Sequence, residues 1–294
     1  MFVTESANAK INLYLDVIGR LPGGYHRIRS VMQSVSLCDR VRLSVRPAAK
    51  TSVTLSCRGR FSVPTGGENL ACRAAELFCR ETGLDLRVHI FLTKRIPVAA
   101  GLAGGSSDAA AVLRGLNRAT GTPLTAEALS ALGAALGSDI PFCLTGGTQL
   151  CEGRGEVLRR LPAPPRFFAV LFTPPVPVST AAAYAALDEA YDGFPGGEEH
   201  ASSDAFLSAL GSGELSSLTG NCFNLFEETV LPVCRPAAEA LEVLRGYGAL
   251  TARMSGSGPT VFAIFPGRFA AVRAARALGS FARVVTPVCL RGCV

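Results

Sequence analysis

Residues 97–112, PVAAGLAGGSSDAAAV, run a glycine- and serine-rich turn straight into an alanine-rich helix. Gly101, Gly104 and Gly105 have no Cβ, so the backbone there can bend into a cradle and approach a ligand closely. Ser106, Ser107 and Asp108 are residue types that cap helix N-termini, and Ala109 to Val112, Leu113 and Leu116 continue as strong helix. A helix N-terminus presents unpaired N–H groups and the positive end of the helix dipole, which suits a phosphate. The segment therefore predicts an anion site for a nucleotide; an ordinary loop before a capped helix is the alternative. The chain has no G-x-x-x-x-G-K-[ST] and no G-x-G-x-x-G after a strand in this region, so the two common phosphate loops are excluded.

A chain of 294 residues, 48% hydrophobic and 18% charged, is long enough for two globular domains. Its net charge of +6 fits an anionic small substrate. No dense Lys/Arg stripe interleaved with aromatics points to nucleic acid. The ten cysteines contain no C-x-x-C pair, and with only three histidines they read as reduced core thiols rather than a zinc cluster. The N-terminus has no signal-peptide pattern and no apolar run is long enough to span a membrane, so the expectation is a cytoplasmic protein.

Residues 7–17, ANAKINLYLDV, alternate: Ala7, Ala9, Ile11, Leu13, Leu15 and Val17 take one face, Asn8, Lys10, Asn12, Tyr14 and Asp16 the other. This predicts a strand with one packed and one polar side. PGGY at 22–25 is a turn; helices are expected in ENLACRAAELFCRETG, ending near Gly83, and in AEALSALGAALG, capped by Thr125. Around 150–165, CEGRGEVLRRLPAPP reads as a domain junction. Beyond it, the main elements follow the order β-α-β-β-α-β of a ferredoxin-like unit.

Four places invite a chemical reading. Lys10 is one of only three lysines, and on the polar side of an apolar strand it is either a point charge facing a ligand or part of a solvated edge. Asp139, in GSDIPFCL, is either a shielded general base or a turn residue before a proline. Tyr25 and His26 follow the turn, and Tyr25 offers a flat ring for stacking a base. Gly256 and Gly258, in MSGSGPTVF, make a second glycine turn, which a tight hairpin also explains.

Taken together, AKINLYLDVIGRLPGGYHRIRSVMQSV, GENLACRAA, KRIPVAAGLAGGSSDAAAVLRGLN, LGSDIPFCLTGG, NCFNLFE and MSGSGPTVFAIF resemble the GHMP kinase superfamily over nearly the whole chain. The K-I-N-L strand with G-Y-H, combined with G-L-A-G-G-S-S-D-A-A, is specific to one branch. That branch phosphorylates the 2-hydroxyl of the methylerythritol part of a cytidine diphosphate conjugate, in the non-mevalonate isoprenoid pathway. The resemblance implies an α+β fold of two domains. Residues 1–152 would form a ribosomal-protein-S5-domain-2-like nucleotide domain and 153–294 a ferredoxin-like domain, with the return of the final residues to the first domain left open.

The resemblance also implies ATP and magnesium as cofactors, Asp139 as base and Lys10 as its electrostatic partner. It places Tyr25, His26, Asn12, Thr180, Tyr184 and Asp139 around the cytidine substrate. Asn69 and Lys94 would lie on the adenine side. Gly101, Gly104, Gly105, Ser106 and Ser107 would hold the ATP phosphates, with Pro97, Leu102 and Ala103 also binding ATP and Ser107 a candidate contact for the metal. Ala103 stands where many superfamily loops have glycine. A homoserine- or mevalonate-type kinase is the alternative within the superfamily, and an RNA-binding module the alternative outside it. The expected partners are small molecules, without nucleic acid or membrane; the oligomeric state is not implied.

Overall fold

The computed structural model describes residues 1–194 and 197–288. It contains a seven-stranded sheet and a four-stranded sheet. The first half supplies β1 (Phe2–Leu21), β2 (Tyr25–Pro47), β3 (Ser52–Gly59), α1 (Leu70–Thr82), β4 (Leu86–Lys94), α2 (Gly104–Ala119), α3 (Ala126–Leu136), α4 (Ile140–Thr145), β5 (Thr148–Gly153) and β6 (Val157–Arg160). The second supplies β7 (Phe168–Phe172), α5 (Thr180–Ala190), α6 (Ser203–Ser212), α7 (Leu215–Gly220), β8 (Phe223–Asn224), α8 (Glu227–Val230), α9 (Arg235–Gly246), β9 (Thr251–Met254), β10 (Val261–Phe265), α10 (Arg268–Ala277) and β11 (Ala282–Val285).

The first sheet runs β3-β4-β2-β1-β8, with β5 on β2 and β6 on β5. Its helices pack on one side around α2, whose Ala109, Ala110, Ala111, Val112, Leu113 and Leu116 are all buried. Three consecutive alanines allow this helix to be enclosed on most of its circumference without steric conflict. The second sheet has the order β11-β7-β10-β9, the strand order of the expected ferredoxin-like unit. One face, with Val170, Ala263 and Phe265, packs under α9 and α10. The other face, with Ala169, Leu171, Phe262 and Ile264, packs against Ala9, Ile11 and Leu13 of β1 and Val31 and Val35 of β2. The sheets thus join the halves through an apolar sheet-on-sheet core.

Two expectations are corrected here. The alternation of residues 7–17 is broken by register shifts between Asn8 and Lys10 and between Asn12 and Tyr14. Ala7 therefore packs under the helices, while Ala9, Ile11 and Leu13 pack between the sheets. Both sides of the strand are enclosed: Tyr14 and Asp16, on the polar side, are buried because the second half covers them. Secondly, Ser106, Ser107 and Asp108 do not cap α2. The helix starts earlier, at Gly104, and Ala103 is its N-cap with left-handed backbone and no side-chain cap bond. The expected boundary at 152/153 lies at the end of β5, whose hairpin with β6 carries the first sheet on to Arg160; β8 later adds to the same sheet.

At the first shift of register β2 bows out at Val35, Ser36 and Leu37, between the pairs Asn8–Cys38 and Lys10–Ser34. The bow is taken up by the end of the chain: Ser36 N–H donates to Thr286 O and Val288 N–H to Ser34 O. The final residues up to Val288 therefore return to the first half; residues 289–294, with Cys289 and Cys293, lie outside the described residues.

A buried ion cluster ties β4, β2 and α2 together. Lys94 Nζ lies 2.5 Å from Asp39 Oδ2 and 2.6 Å from Asp108 Oδ2, with all three side chains at most 4% exposed. Asp39 Oδ1 also accepts from the backbone N–H groups of Arg95 and Ile96, fixing the chain as it leaves β4 for the glycine loop. Burial beside a second carboxylate pushes the Asp108 carboxyl up, against the pull of Lys94. Removing the cation strands two carboxylates in the interior. Lys94→Met is expected to lose about 3–5 kcal/mol of stability, read as a lower midpoint in urea denaturation.

Candidate active site

β1 carries Lys10 and Asn12 into the space between the halves. Lys10 is 4% exposed and Asn12 1%. Lys10 Nζ donates to Asn12 Oδ1 at 2.7 Å, Asn12 Nδ2 donates to Ser30 Oγ at 2.8 Å, and Ser30 Oγ donates to Tyr14 O at 2.7 Å. This relay across β1 and β2 fixes the ammonium group in place. Asp139 Oδ2 lies 3.9 Å from Lys10 Nζ. Asp139 follows Gly137, which ends α3, and stands at the N-cap of α4, but its side chain makes no cap bond. Its carboxylate is 32% exposed and opens into the cleft.

The glycine loop links β4 to α2 along the neighbouring wall. Gly101 has φ +72°, and a Cβ there would stand 2.1 Å from Ser255 O. Ala99 and Ala103 also adopt left-handed backbone, with φ 51° and 55°. Such strain gathers where a loop is held against a ligand site. Gly104, Gly105 and Ser106 open α2, so their N–H groups have no intrahelical partner. The 255–258 turn faces this loop. Ser255 Oγ donates to Gly101 O at 3.0 Å, and Asn224 Nδ2 holds both Met254 O and Gly256 O. Ser257 Oγ pairs with Thr180 Oγ1 at 2.9 Å, joining the turn to α5.

At the other end the walls become aromatic. The His26 ring stacks on Tyr184 with centroids 4.4 Å apart, and Tyr184 meets Phe226 edge-on. Tyr25 is 52% exposed, with the Arg154 guanidinium 4.7 Å from its ring centre. His26 Nε2 lies 2.7 Å from Asp188 Oδ1. Arg20 grips the same carboxylate and holds it below the usual range for an aspartate. The two ends form one cleft of about 780 Å³, within the range of small-molecule sites. A fixed ammonium beside a free carboxylate, next to an open helix N-terminus, can activate a hydroxyl near a bound phosphate chain.

The family comparisons agree with this geometry. Residues 69–147 match the model of the GHMP kinases N terminal domain, and 207–284 that of the GHMP kinases C terminal. The chain is 46% identical to 4-diphosphocytidyl-2-C-methyl-D-erythritol kinase of Gloeobacter violaceus, over 88% of this chain and 84% of that protein. It is 42% identical to the Bacillus subtilis protein of the same name, over 90% of this chain and 88% of that one. This chain is a GHMP kinase of the 4-diphosphocytidyl-2-C-methyl-D-erythritol kinase family. A crystal structure of a 4-(cytidine 5'-diphospho)-2C-methyl-D-erythritol kinase superposes with a TM-score of 0.79 at 36% identity, covering 97% of this chain and 99% of that one. A homoserine kinase from Cytophaga hutchinsonii, at 19% identity and a TM-score of 0.70 over 95% of each chain, shares the fold.

The cleft of this GHMP kinase brings together Lys10, Asn12, Tyr25, His26, Gly101, Ala103, Gly104, Gly105, Ser106, Asp139, Thr180 and Tyr184. Five expected residues stand outside it. Lys94 is enclosed in its ion cluster rather than open to a base. Asn69 caps α1, accepting from Ala71 N–H and donating to Pro64 O. Ser107 is buried and donates to Asn8 O, so Ser106 is the hydroxyl that reaches the cleft. Pro97 and Leu102 line a neighbouring groove of about 320 Å³ on the other side of the loop. Sequence reasoning missed Asp188, Arg154 and Phe226. Gly256 and Ser257 carried a signal in MSGSGP, but nothing in that motif tells a hairpin from a cleft wall.

Gly101 brings the glycine loop into backbone contact with the 255–258 turn of the other half. Gly101→Ala is expected to lose about 1–3 kcal/mol through backbone strain and the clash with Ser255. The check is a lower thermal midpoint with unchanged far-ultraviolet circular dichroism at 20 °C, a temperature taken as roughly that of maximal stability.

Proposed function

We propose that the protein transfers the γ-phosphoryl group of ATP to the 2-hydroxyl of 4-diphosphocytidyl-2-C-methyl-D-erythritol, giving the 2-phosphate and ADP in the non-mevalonate route to isoprenoids. The observation that carries the reading is the single cleft with an open helix N-terminus at one end and a His26–Tyr184 aromatic wall at the other, with Lys10 and Asp139 between them. The identity with curated relatives of this name supports the same substrate pair.

In this reading the N–H groups of Gly104, Gly105 and Ser106 and the α2 dipole hold the phosphates. Asp139 accepts the proton of the attacking hydroxyl. Lys10, held by Asn12, keeps that hydroxyl and carboxylate aligned and offsets charge on the transferred group. Tyr25, half exposed, offers a ring face to the pyrimidine beside the stacked His26–Tyr184 pair. Thr180 and Ser257 offer hydroxyls to the diphosphate.

Among the described residues no cluster of three His, Cys, Asp or Glu side chains could hold a metal by itself. Ser106, the hydroxyl that opens into the cleft at the start of α2, would be available to magnesium brought in with the nucleotide. Such a metal neutralises β- and γ-phosphate oxygens. The same reading puts the enzyme in the cytoplasm, where ATP is made and thiols stay reduced. No helix among the described residues is long and apolar enough to cross a membrane.

Asp139→Asn is expected to fold with an unchanged melting temperature and to lose about 10²–10⁴-fold in kcat. A coupled ADP-release assay with the cytidine conjugate reads this, with homoserine and mevalonate as control acceptors. Parental turnover in the variant would remove Asp139 from the role of base. Tyr25→Ala is expected to raise KM for the conjugate roughly tenfold while KM for ATP changes little, since loss of one stacking face costs about 1–3 kcal/mol. Equal loss for both substrates would move Tyr25 out of the pyrimidine end.

A further inference from the structure

We propose that the open face of the first sheet binds single-stranded nucleic acid. β1, β2, β4 and β3 lie side by side, and their inward residues, Leu43, Val88, Ile90 and Leu92 among them, pack under the helices. Alternation turns the residues between them to the other side of the sheet. There Arg40, Arg42 and Arg46 of β2, Arg58 of β3 and Arg87 of β4 are all exposed. Across Phe2–Ser6, Arg40–Arg46, Ser52–Arg58 and Arg87–Thr93, the other outward residues are Phe2, Phe91, His89 and serines or threonines, without an Asp or Glu. None of the five arginines forms an ion pair among the described residues. This face therefore carries five positive charges and no negative one, against a net charge of +6 for the whole chain.

The register sets the charges against one another. Arg46 and Arg87 stand directly opposite across β2 and β4. Like charges so placed repel, and a polyanion laid across them removes the repulsion. Arg42 stands opposite Phe91, and its guanidinium lies 4.5 Å from the Phe2 ring centre and 6.0 Å from that of Phe91. The two rings are 56% and 42% exposed. An acidic peptide would use the arginines alone; unpaired bases also use both rings and the guanidinium plane between them. The surrounding hydroxyls donate to phosphate and sugar oxygens. A duplex keeps its bases stacked, and its major groove admits a helix or a two-stranded ribbon rather than the face of a four-stranded sheet. The linear sequence shows no basic stripe because the arginines alternate with core residues and come from three strands. None of these side chains lines the cleft, so the surface is separate from the candidate active site.

The test measures fluorescence anisotropy of short labelled strands, RNA and DNA of the same mixed sequence, with and without saturating ATP in the cleft. Kd is expected between about 10⁻⁶ and 10⁻⁴ M at physiological salt. Five neutralised phosphates give a slope of about −3.5 for log K against log salt. Arg87→Gln should flatten that slope by about 0.7. Phe91→Ala should weaken binding about fivefold or more and leave the slope unchanged, since it removes a stacking face and no charge. Both substitutions lie at exposed positions, and ADP release from ATP and the cytidine conjugate should stay at the parental rate in each. Equal binding of RNA and DNA and tighter binding of RNA both support the proposal, the second adding contact with the 2′-hydroxyl. Polyglutamate, the duplex of the same sequence and vesicles of phosphatidylglycerol with phosphatidylcholine serve as competing anions.

Polyglutamate, duplex or vesicles bound as tightly as the single strand would assign the face to another anion and overturn the proposal. Binding unchanged by Arg42→Gln together with Arg87→Gln, or displaced by ATP, places the strand elsewhere and overturns it too. So does the absence of binding at low salt. Self-association that Arg87→Gln abolishes, read by sedimentation, makes the face an interface between copies of this chain and overturns it as well. The kinase reading stands under each of these outcomes, because the cleft and this face share no residue.

Discussion

Packing of the four-stranded sheet against β1 and β2 is the contact from which the site follows. Phe262, Ile264, Ala169 and Leu171 meet Ala9, Ile11, Leu13, Val31 and Val35 with no exposed surface between them. Burial on this scale is the main favourable contribution to folding. It also brings two short turns from different halves into backbone contact at Gly101 and Ser255. The cleft is the space left beside that contact, so its walls come from both halves and its width is set by the core beneath.

Two buried lysines show how the same side chain serves different ends. Lys94 is matched against two carboxylates, and its charge is consumed inside the protein, where it organises the entry to the glycine loop. Lys10 has one neutral oxygen at 2.7 Å and a carboxylate at 3.9 Å. Much of its field is therefore left to act on whatever occupies the cleft, and within a poorly hydrated wall that field is stronger than in water. Two buried cysteines are chemically quiet by comparison: burial pushes the Cys143 and Cys222 thiols up to about 12.

Local patterns made much of the fold legible. Gly83 and Thr125 bounded helices because left-handed backbone and side-chain caps are properties of single residues. The order of elements gave the ferredoxin-like unit for the same reason. The motifs that gathered in one cleft, K-I-N-L, G-Y-H, the glycine loop and G-S-D, could be named but not placed. Misreadings came where a partner distant in sequence decides the outcome. Lys94 and Ser107 look available in a motif, and only Asp39 and Asn8 show that they are committed. Asp188 sits in a helix that reads as plain, and its meaning comes from Arg20 and His26, more than 160 positions away.

The bow in β2 has a bearing on how the chain reaches this state. It is completed by the last described segment, through a bond between residues 250 positions apart, while β8 adds a parallel pair to β1 from more than halfway along. Closing such loops costs entropy before any contact is gained, and chains dominated by distant pairings fold slowly. The N-terminal sheet emerges first from the ribosome with a gap in its edge and an uncovered apolar face. That face stays uncovered until Phe262 and Ile264 have been made and folded onto it, and an uncovered apolar face is a surface through which incompletely folded chains associate.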